Sequence, residues 1–273
     1  MTDDAVARYL DRVSYTGPTE ATLDVLGALV AAHNRAIPFE NLDPLMGVPV
    51  ADLRPEALID KLVLRRRGGY CFEQNGVMAY VLSHLGFGVD VCGGRVVWMN
   101  TSGELPAQTH QTLAVTVPGE DGRYLVDVGF GGQTLSSPIR FETDTVQKTR
   151  HEPYRIRAHG DGYILESEIR ESWEPLYLFS TRLFPMIDRV VGSWYVSTFP
   201  ESHFVTGLTA ALITDDARWN LRGRNLAIHR KGESERIRFD TAAQVVEALT
   251  DRFGIDLTGL GDVEARVNEV LDS

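Results

Sequence analysis

The segment at residues 65–75, RRRGGYCFEQN, constrains the fold of this chain more than any other feature. Gly68 and Gly69 are expected to end one amphipathic helix, and a second helical pattern begins at Cys71. The first turn of a helix presents N–H groups and a partial positive charge, and both stabilise a thiolate. The segment therefore predicts a cysteine nucleophile held at a helix N-terminus.

The chain contains two cysteines, and their sequence settings differ. An isolated cysteine is most often a small buried hydrophobe, and Cys92 fits that description because it lies in an apolar, strand-like run. Cys71 instead lies between an Arg-Gly segment and a polar one, which is a poor setting for a core residue. Neither cysteine belongs to a Cys-x-x-Cys pair, and the seven histidines show no His-Glu-x-x-His spacing. We therefore expect no disulfide framework and no metal site.

The composition narrows the class of protein. The 273 residues are 43% hydrophobic and 24% charged, as is typical of a globular protein with one large domain or two to three small ones. The net charge of −11 disfavours nucleic acid as a partner. No stretch approaches the roughly 18 apolar residues of a membrane span, and the acidic start MTDD lacks a signal-peptide pattern. We interpret the protein as cytoplasmic, without a membrane partner.

Hydrophobic periodicity divides the chain into three regions. Residues 1–88 predict helices, one capped by Thr19 and another opened by Pro55. Residues 89–190 contain short β-rich runs separated by Gly, Pro, Asn and Asp, which predict an antiparallel barrel or sandwich. Residues 191–273 mix strand patterns with helices near the end of the chain. The expected fold class is α+β.

Two residues are candidates for activating the cysteine, which needs a base and a group that orients the base. His110 begins one β-run, and Asp127 ends the next, with a turn at residues 118–123 between them. Antiparallel pairing places the start of one strand beside the end of its neighbour. Each residue alone would be an ordinary strand-end residue, but Asp127 lies in an apolar run and needs a partner. The order Cys, His, Asp is also that of papain-like thiol enzymes.

A glycine-rich segment, GFGG at residues 129–132, follows Asp127 directly. Such a segment permits close backbone approach and can present N–H groups to an anion. It is either an ordinary glycine turn or a loop that binds a phosphate-bearing acyl donor.

At these residues the chain closely resembles the arylamine N-acetyltransferases. The matching segments are IPFENL at 37–42, RGGYCFEQN at 67–75, TH at 109–110, LVDVGFG at 125–131, WEPLY at 173–177 and FPESHF at 199–204. None of the three catalytic positions departs from the family pattern. Beyond residue 204 we find no further motif.

The resemblance implies a fold and a reaction. The fold would be an N-terminal helical bundle (1–88), a central antiparallel β-barrel (89–190) and a C-terminal α/β lid (191–273) around a papain-like Cys-His-Asp core. The reaction would be ping-pong transfer of an acetyl group from acetyl-CoA, without a metal, to an arylamine or hydrazine, as in xenobiotic metabolism. Cys71 would be the nucleophile, His110 its proton partner and Asp127 the group that orients His110. The oxyanion would bind the N–H of Cys71 and a second donor near Thr109 or Phe72.

The resemblance also implies binding residues. Phe39, Phe130 and Phe204 would line the acceptor pocket, since flat apolar walls suit an aromatic amine. The residues expected to contact the pantetheine and pyrophosphate of CoA are Trp98, Thr109, Gly129 and Gly131. Arg67 would anchor the Cys71 loop through a salt bridge to a carboxylate such as Glu40.

Three alternatives stay open at the level of sequence. An amide synthase that releases or cyclises a carrier-bound acyl chain would use the same triad. A thiol peptidase or transglutaminase shares the Cys-His-Asp logic, although a closed aromatic pocket argues against it. A non-catalytic module for aromatic ligands would require the three residues to be incidental. The sequence does not indicate the physiological amine, the acyl-chain preference or the oligomeric state.

Overall fold

The computed structural model describes residues 2–231 and 233–271 and shows a mixed α and β architecture. The helices are α1 (Thr2–Arg12), α2 (Leu23–Ala36), α3 (Leu42–Leu45), α4 (Pro55–Leu58), α5 (Cys71–His84), α6 (Met186–Thr198), α7 (His203–Thr206), α8 (Ala242–Asp251) and α9 (Val263–Val270), and a π-helical segment, Ile59–Leu64, continues α4. The strands are β1 (Phe39–Glu40), β2 (Gly88–Val96), β3 (His110–Thr116), β4 (Tyr124–Val126), β5 (Ile139–Arg140), β6 (Gln147–Lys148), β7 (Pro153–His159), β8 (Gly162–Ile169), β9 (Ser172–Phe179), β10 (Thr209–Ile213), β11 (Ala217–Arg222), β12 (Asn225–Arg230) and β13 (Glu233–Arg238).

The strands form two antiparallel sheets. The larger sheet is barrel-like and has the order β5-β4-β3-β2-β9-β8-β7-β6, and the smaller has the order β1-β10-β11-β12-β13. Helices precede the larger sheet in the chain, and α8 and α9 follow the smaller one. The predicted α+β class with a central antiparallel sheet is therefore confirmed. The division of the chain at residues 88 and 190 stays a prediction, and β1 from the first region pairs with β10 from the last.

Apolar side chains pack into several buried clusters, and some of these join different regions of the chain. Helices α2 and α5 bury Leu26 and Leu82 against strands β3 and β4, where Leu113 and Val126 are also fully buried. Helices α8 and α9 cover the smaller sheet through Leu249 and its neighbours. The cluster under α2 and α5 matters most for the site. It holds α5, which begins at Cys71, against β3, which begins at His110, and against β4, which Asp127 directly follows.

Several local predictions hold, and others were wrong. Helix α5 begins at Cys71 as predicted, and the helices expected near the end of the chain include α8, which Thr241 and Gln244 cap. The cap of α2 is Thr22 rather than Thr19, because the Thr22 hydroxyl accepts the Val25 N–H at 3.3 Å. The helix that Pro55 opens ends at Leu64 rather than at the two glycines.

Helix α6 and strand β9 are among the elements that have no counterpart in the sequence prediction. Helix α6 contains valine, serine, threonine and glycine, whose intrinsic helix propensity is low, so packing rather than local preference stabilises it. Strand β9 contains Pro175, a residue that argues against an interior strand position. The proline lies at a register shift between β8 and β9, where Glu166 pairs with Pro175 and Leu165 pairs with Tyr177. A bulge tolerates proline there.

Candidate active site

The thiol of Cys71 lies in the first turn of α5, with the residue only 5% exposed. The Glu73 side chain turns back and accepts the N–H of Tyr70 at 3.1 Å, which caps the helix start. The Cys71 Sγ atom lies 3.5 Å from the carbonyl oxygen of Thr109. The N–H of Thr109 donates to the carbonyl of Ala107 at 3.0 Å, and a second oxyanion donor near Thr109 or Phe72 stays a prediction.

His110 and Asp127 lie together beside this thiol. His110 is the first residue of β3, and Asp127 directly follows β4, its hydrogen-bonded neighbour in the sheet. The His110 Nε2 atom lies 2.7 Å from Asp127 Oδ2, and both side chains are buried. Because Nε2 is bonded to the carboxylate, Nδ1 is the ring nitrogen that remains to exchange a proton with Cys71.

Two further donors orient the carboxylate of Asp127. The side-chain amide of Asn75 donates to Asp127 Oδ1 at 2.9 Å, and the N–H of Gly129 donates to the same oxygen at 2.9 Å. Asn75 also donates to the carbonyl of Gln111 at 2.6 Å and accepts the N–H of Val128 at 3.0 Å. Asn75 therefore ties helix α5, which carries the thiol, to both strands that carry the other two groups.

The environment of His110 favours its protonated form. Burial alone would lower the pKa of His110, but the Asp127 carboxylate and the hydrogen bond to Cys71 outweigh burial and raise this pKa from 6.5 to about 10. Between pH 6.5 and about 10, His110 therefore keeps its proton in the folded protein, whereas the same imidazole is mostly neutral in the unfolded chain. This proton contributes fully to stability below pH 6.5, and the contribution is lost as the pH rises through about 10.

Aromatic rings enclose the imidazole. The ring centroid of His110 lies 4.5 Å from that of Tyr177 and 5.3 Å from that of Phe130. The Tyr177 ring is fully buried, so it shields this side of the imidazole from solvent. A shielded imidazole and carboxylate interact more strongly than an exposed pair, which is consistent with the direction of the pKa shift at His110.

A buried ionic cluster lies behind the Cys71 loop. Arg67 Nη2 contacts Glu40 Oε1 at 2.7 Å and Asp43 Oδ1 at 2.9 Å, so the predicted partner of Arg67 lies against it. Lys61 Nζ contacts Asp43 Oδ2 and Glu73 Oε1, each at 2.6 Å. Burial alone would raise the pKa of Asp43, but the two cations outweigh it and lower that pKa. Glu73 thus links this cluster directly to the cap of α5.

A chain of neutral hydrogen bonds supports the same loop from the other side. Gln74 Nε2 donates to the carbonyls of Pro38 and Gly69 at 2.7 and 3.2 Å, so its Oε1 atom is the acceptor for His33 Nε2 at 2.6 Å. His33 Nδ1 then accepts the Tyr9 hydroxyl at 2.9 Å. Burial lowers the pKa of His33 to about 4, so His33 stays neutral at pH 7.

A cavity of about 520 Å³ opens onto the thiol and the imidazole. Its wall contains Cys71, His110 and all seven predicted binding residues, which are Phe39, Trp98, Thr109, Gly129, Phe130, Gly131 and Phe204. Phe39 and Phe204 meet edge to face, with their ring centroids 5.9 Å apart. The structure thus brings the predicted binding residues and two of the three predicted catalytic residues to one surface, while Asp127 lies behind His110.

The glycine-rich segment 129–132 packs tightly against Cys71 in the wall of this cavity. A side chain at Gly129 would place a Cβ atom 2.7 Å from the Cys71 Cα, so only glycine fits there. Gly131 has φ +81°, a conformation that glycine adopts readily. Nearby, the buried side-chain oxygens of Gln133 and Asn220 have no hydrogen-bond partner among the described residues. These acceptors fit a ligand with amide N–H groups, as the pantetheine arm of CoA has.

Sequence reasoning missed several residues that hold this site together. Glu73, Gln74 and Asn75 were visible as an unusually polar helix start, but their partners lie between 3 and 53 residues away in the chain. Lys61 and Asp43 belong to helices whose sequences gave no sign of a shared ionic cluster. Only the polarity of residues 73–75 could have pointed to the supporting network.

The described residues contain neither a cluster of metal ligands nor a membrane-spanning helix. No group of three or more His, Cys, Asp or Glu side chains in residues 2–231 and 233–271 could hold a metal ion. In the same part of the chain, no helix has the length and apolar character needed to cross a bilayer.

Comparison with known proteins gives consistent matches along most of the chain. A family model described as N-acetyltransferase matches residues 22–262. The arylamine N-acetyltransferase of Mycolicibacterium smegmatis is 64% identical over 97% of this chain and 98% of its own length. The solved structure of M. smegmatis arylamine N-acetyl transferase superposes with a TM-score of 0.96 at 63% identity, covering 98% and 99% of the two chains. The Mycobacterium marinum arylamine N-acetyltransferase in complex with CoA gives 0.95 at 58% identity, covering 97% and 99%.

Proposed function

This chain belongs to the arylamine N-acetyltransferase family, and from that premise we propose that it acetylates arylamines and hydrazines by a ping-pong mechanism through an acetyl-Cys71 thioester. As a member of the family, it is an acyltransferase that uses acetyl-CoA as its cosubstrate. The observation that carries the mechanistic proposal is the contact of His110 with Asp127 directly beside the Cys71 thiol, at the wall of an aromatic cavity.

In the first half-reaction, the Cys71 thiolate attacks the thioester carbon of acetyl-CoA. A bond forms between this carbon and Cys71 Sγ, and the bond to the CoA sulfur breaks. The imidazolium of His110 gives its proton to the departing CoA thiolate. A thioester is exchanged for a thioester, so the step changes the free energy little. The N–H of Cys71 in the first turn of α5 is a candidate oxyanion donor.

In the second half-reaction, the amine nitrogen attacks the acetyl carbon on Cys71. Arylamines are neutral at pH 7, so the nitrogen lone pair is available without prior deprotonation. The carbon–sulfur bond breaks, and His110 takes the proton released from the nitrogen. Asp127 stabilises the imidazolium that results, as its 2.7 Å contact with His110 Nε2 supports. The cycle then returns to the thiolate–imidazolium pair.

CoA and the acceptor would use different walls of the cavity. The segment 129–132 and the unpartnered oxygens of Gln133 and Asn220 suit the pantetheine amides. The edge-to-face pair Phe39 and Phe204 suits the aromatic ring of the amine. In a ping-pong reaction the two ligands need not be bound together, so both can reach the same thiol.

Initial-rate kinetics test the mechanism. With acetyl-CoA and an arylamine varied together, a ping-pong enzyme gives parallel double-reciprocal lines, because free CoA leaves before the amine binds. A hydrazine acceptor should give parallel lines as well, since it attacks the same acetyl-cysteine. Intersecting lines would show that both substrates bind before any bond is made, and would contradict the scheme.

Alkylation of the thiol tests the state of the pair. Because Cys71 lies in the first turn of α5 beside a histidine that is paired with Asp127, we expect a thiolate–imidazolium pair at pH 6. Iodoacetamide should therefore alkylate the protein at pH 6 within a few-fold of the rate at pH 8.5, whereas an ordinary cysteine slows by roughly a hundredfold.

The Cys71→Ala variant provides the matched control for alkylation. It retains Cys92, which is fully buried, and burial together with Asp90 raises the pKa of that thiol to about 11. This variant should show no alkylation at pH 6. A wild-type rate that falls like that of an ordinary thiol would argue for a binding module rather than an enzyme.

A further inference from the structure

Two stacked and partly exposed aromatic side chains line the catalytic cavity without an assigned role. Tyr195 and Phe199 are one helical turn apart at the end of α6, with ring centroids 4.9 Å apart and an interplanar angle of 15°. Their residues are 40% and 38% exposed, and both line the cavity that contains Cys71. An exposed stacked pair gains free energy when another flat apolar surface covers it.

Helix α6 holds this pair at a fixed position relative to the nucleophile. The hydroxyl of Ser193 donates to the carbonyl of Val50 at 2.7 Å and lies 2.8 Å from the hydroxyl of Tyr70. One turn later, the hydroxyl of Ser197 accepts the N–H of Val50 at 3.0 Å. Tyr70 directly precedes Cys71, so the helix is anchored beside the thiol through buried hydrogen bonds. The aromatic pair is thus a preorganised part of the cavity wall.

The cavity extends further than a single aromatic ring requires. Phe204 lines the part near the nucleophile, since its ring centroid lies 5.9 Å from that of Phe39 and 5.1 Å from that of Tyr70, the residue before Cys71. The whole cavity measures about 520 Å³, which falls in the range that accommodates drug-sized ligands. A one-ring amine bound against Phe204 would leave the space beside Tyr195 and Phe199 unfilled.

The charges near the pair favour the acceptor over CoA as its occupant. Among the described residues that line the cavity, Glu201 is the acidic one, and it lies two positions after Phe199. The nucleotide end of CoA carries several phosphate charges, which the carboxylate of Glu201 repels. An arylamine bears no such charge. The charge pattern therefore assigns this wall to the acceptor.

Resting on the acetyl transfer proposed above, we propose that Tyr195 and Phe199 form an outer aromatic subsite that binds the distal ring of an extended arylamine. The proximal ring, which carries the reacting amine, lies against Phe39 and Phe204. The distal ring covers the stacked pair. The subsite makes the enzyme selective for arylamines with two connected rings over those with one.

The experiment compares two acceptors, 4-aminobiphenyl and aniline, with acetyl-CoA as donor. In the double variant Tyr195→Ser and Phe199→Ser, kcat/KM for 4-aminobiphenyl should fall about tenfold more than kcat/KM for aniline, mostly through KM. The single variant Phe199→Ser should show the same trend with a smaller ratio. Trp194→Ser is the matched control, because Trp194 is an exposed aromatic on the same helix that does not line the cavity.

Two outcomes would overturn the subsite. One is an equal loss for both amines, and the other is a raised KM for acetyl-CoA with an unchanged ratio between the amines. The mass of the acetylated protein separates these outcomes from failure of the transfer scheme. Lack of an acetyl-Cys71 adduct on the wild type would contradict the scheme itself, whereas an adduct together with an unchanged amine ratio would contradict only the subsite.

Discussion

The variant Asp127→Asn is expected to lower the rate of acetyl transfer by about 10³- to 10⁴-fold. The Asp127 carboxylate accepts its shortest hydrogen bonds from His110 Nε2 at 2.7 Å and from Asn75 and Gly129 at 2.9 Å each. These partners donate to the two carboxylate oxygens of Asp127. In asparagine an NH₂ group, which is itself a donor, replaces one of those oxygens and cannot accept a hydrogen bond. The variant also loses the negative charge that favours protonated His110, so the imidazole takes the wrong protonation state beside Cys71.

Two measurements check the Asp127→Asn prediction. The release of CoA in the first turnover reports the acylation step, and its pH profile reports the protonation of His110. Without the carboxylate, the pKa of His110 should fall from about 10 toward its ordinary value, and the profile should shift with it. Asp215→Asn is the control, since that carboxylate lies on the surface in an ion pair with Arg35. A loss of less than tenfold in Asp127→Asn would show that Asp127 does not orient the base.

The variant Arg67→Ala is expected to lower the free energy of unfolding by about 3–5 kcal/mol. It removes a cation that contacts Glu40 and Asp43 within a cluster of three carboxylates and two cations. The buried carboxylates would then face only Lys61. The melting temperature should fall by roughly 10 °C. Activity should fall as well, because Lys61 also contacts Glu73, which caps the helix that begins at Cys71.

Thermal unfolding of Arg67→Ala is best compared with Arg182→Ala. Arg182 contacts Asp161 at 2.7 Å, but both side chains are largely exposed, so its removal should change the melting temperature little. An Arg67→Ala protein with wild-type melting temperature and activity would show that the buried cluster does not support the Cys71 loop.

Features encoded by short segments could be read from the sequence. The start of α5 at Cys71 follows from the glycines before it and the apolar spacing after it. The meeting of His110 with Asp127 follows from the pairing of two consecutive strands through one turn. In both cases the deciding contacts lie within about twenty residues, so local pattern and antiparallel geometry were sufficient.

Features that depend on distant contacts could not be read in this way. Asn75 contacts Asp127 and Val128, more than fifty residues further along the chain. Helix α6 is held by hydrogen bonds between Ser193 and residues more than a hundred positions away. Its own residues have weak helix propensity, so only the tertiary partners explain why it forms and why Tyr195 reaches the cavity.

The mass of the intact protein after incubation with acetyl-CoA, without any amine, tests the central claim most directly. The proposal predicts one acetyl adduct on the wild type, none on Cys71→Ala, and loss of the adduct when an arylamine or hydrazine is added. Wild-type protein that gains no adduct, although its thiol reacts with iodoacetamide, would contradict acetyl-CoA as the donor to Cys71 and favour an amide synthase that uses a carrier-bound acyl chain.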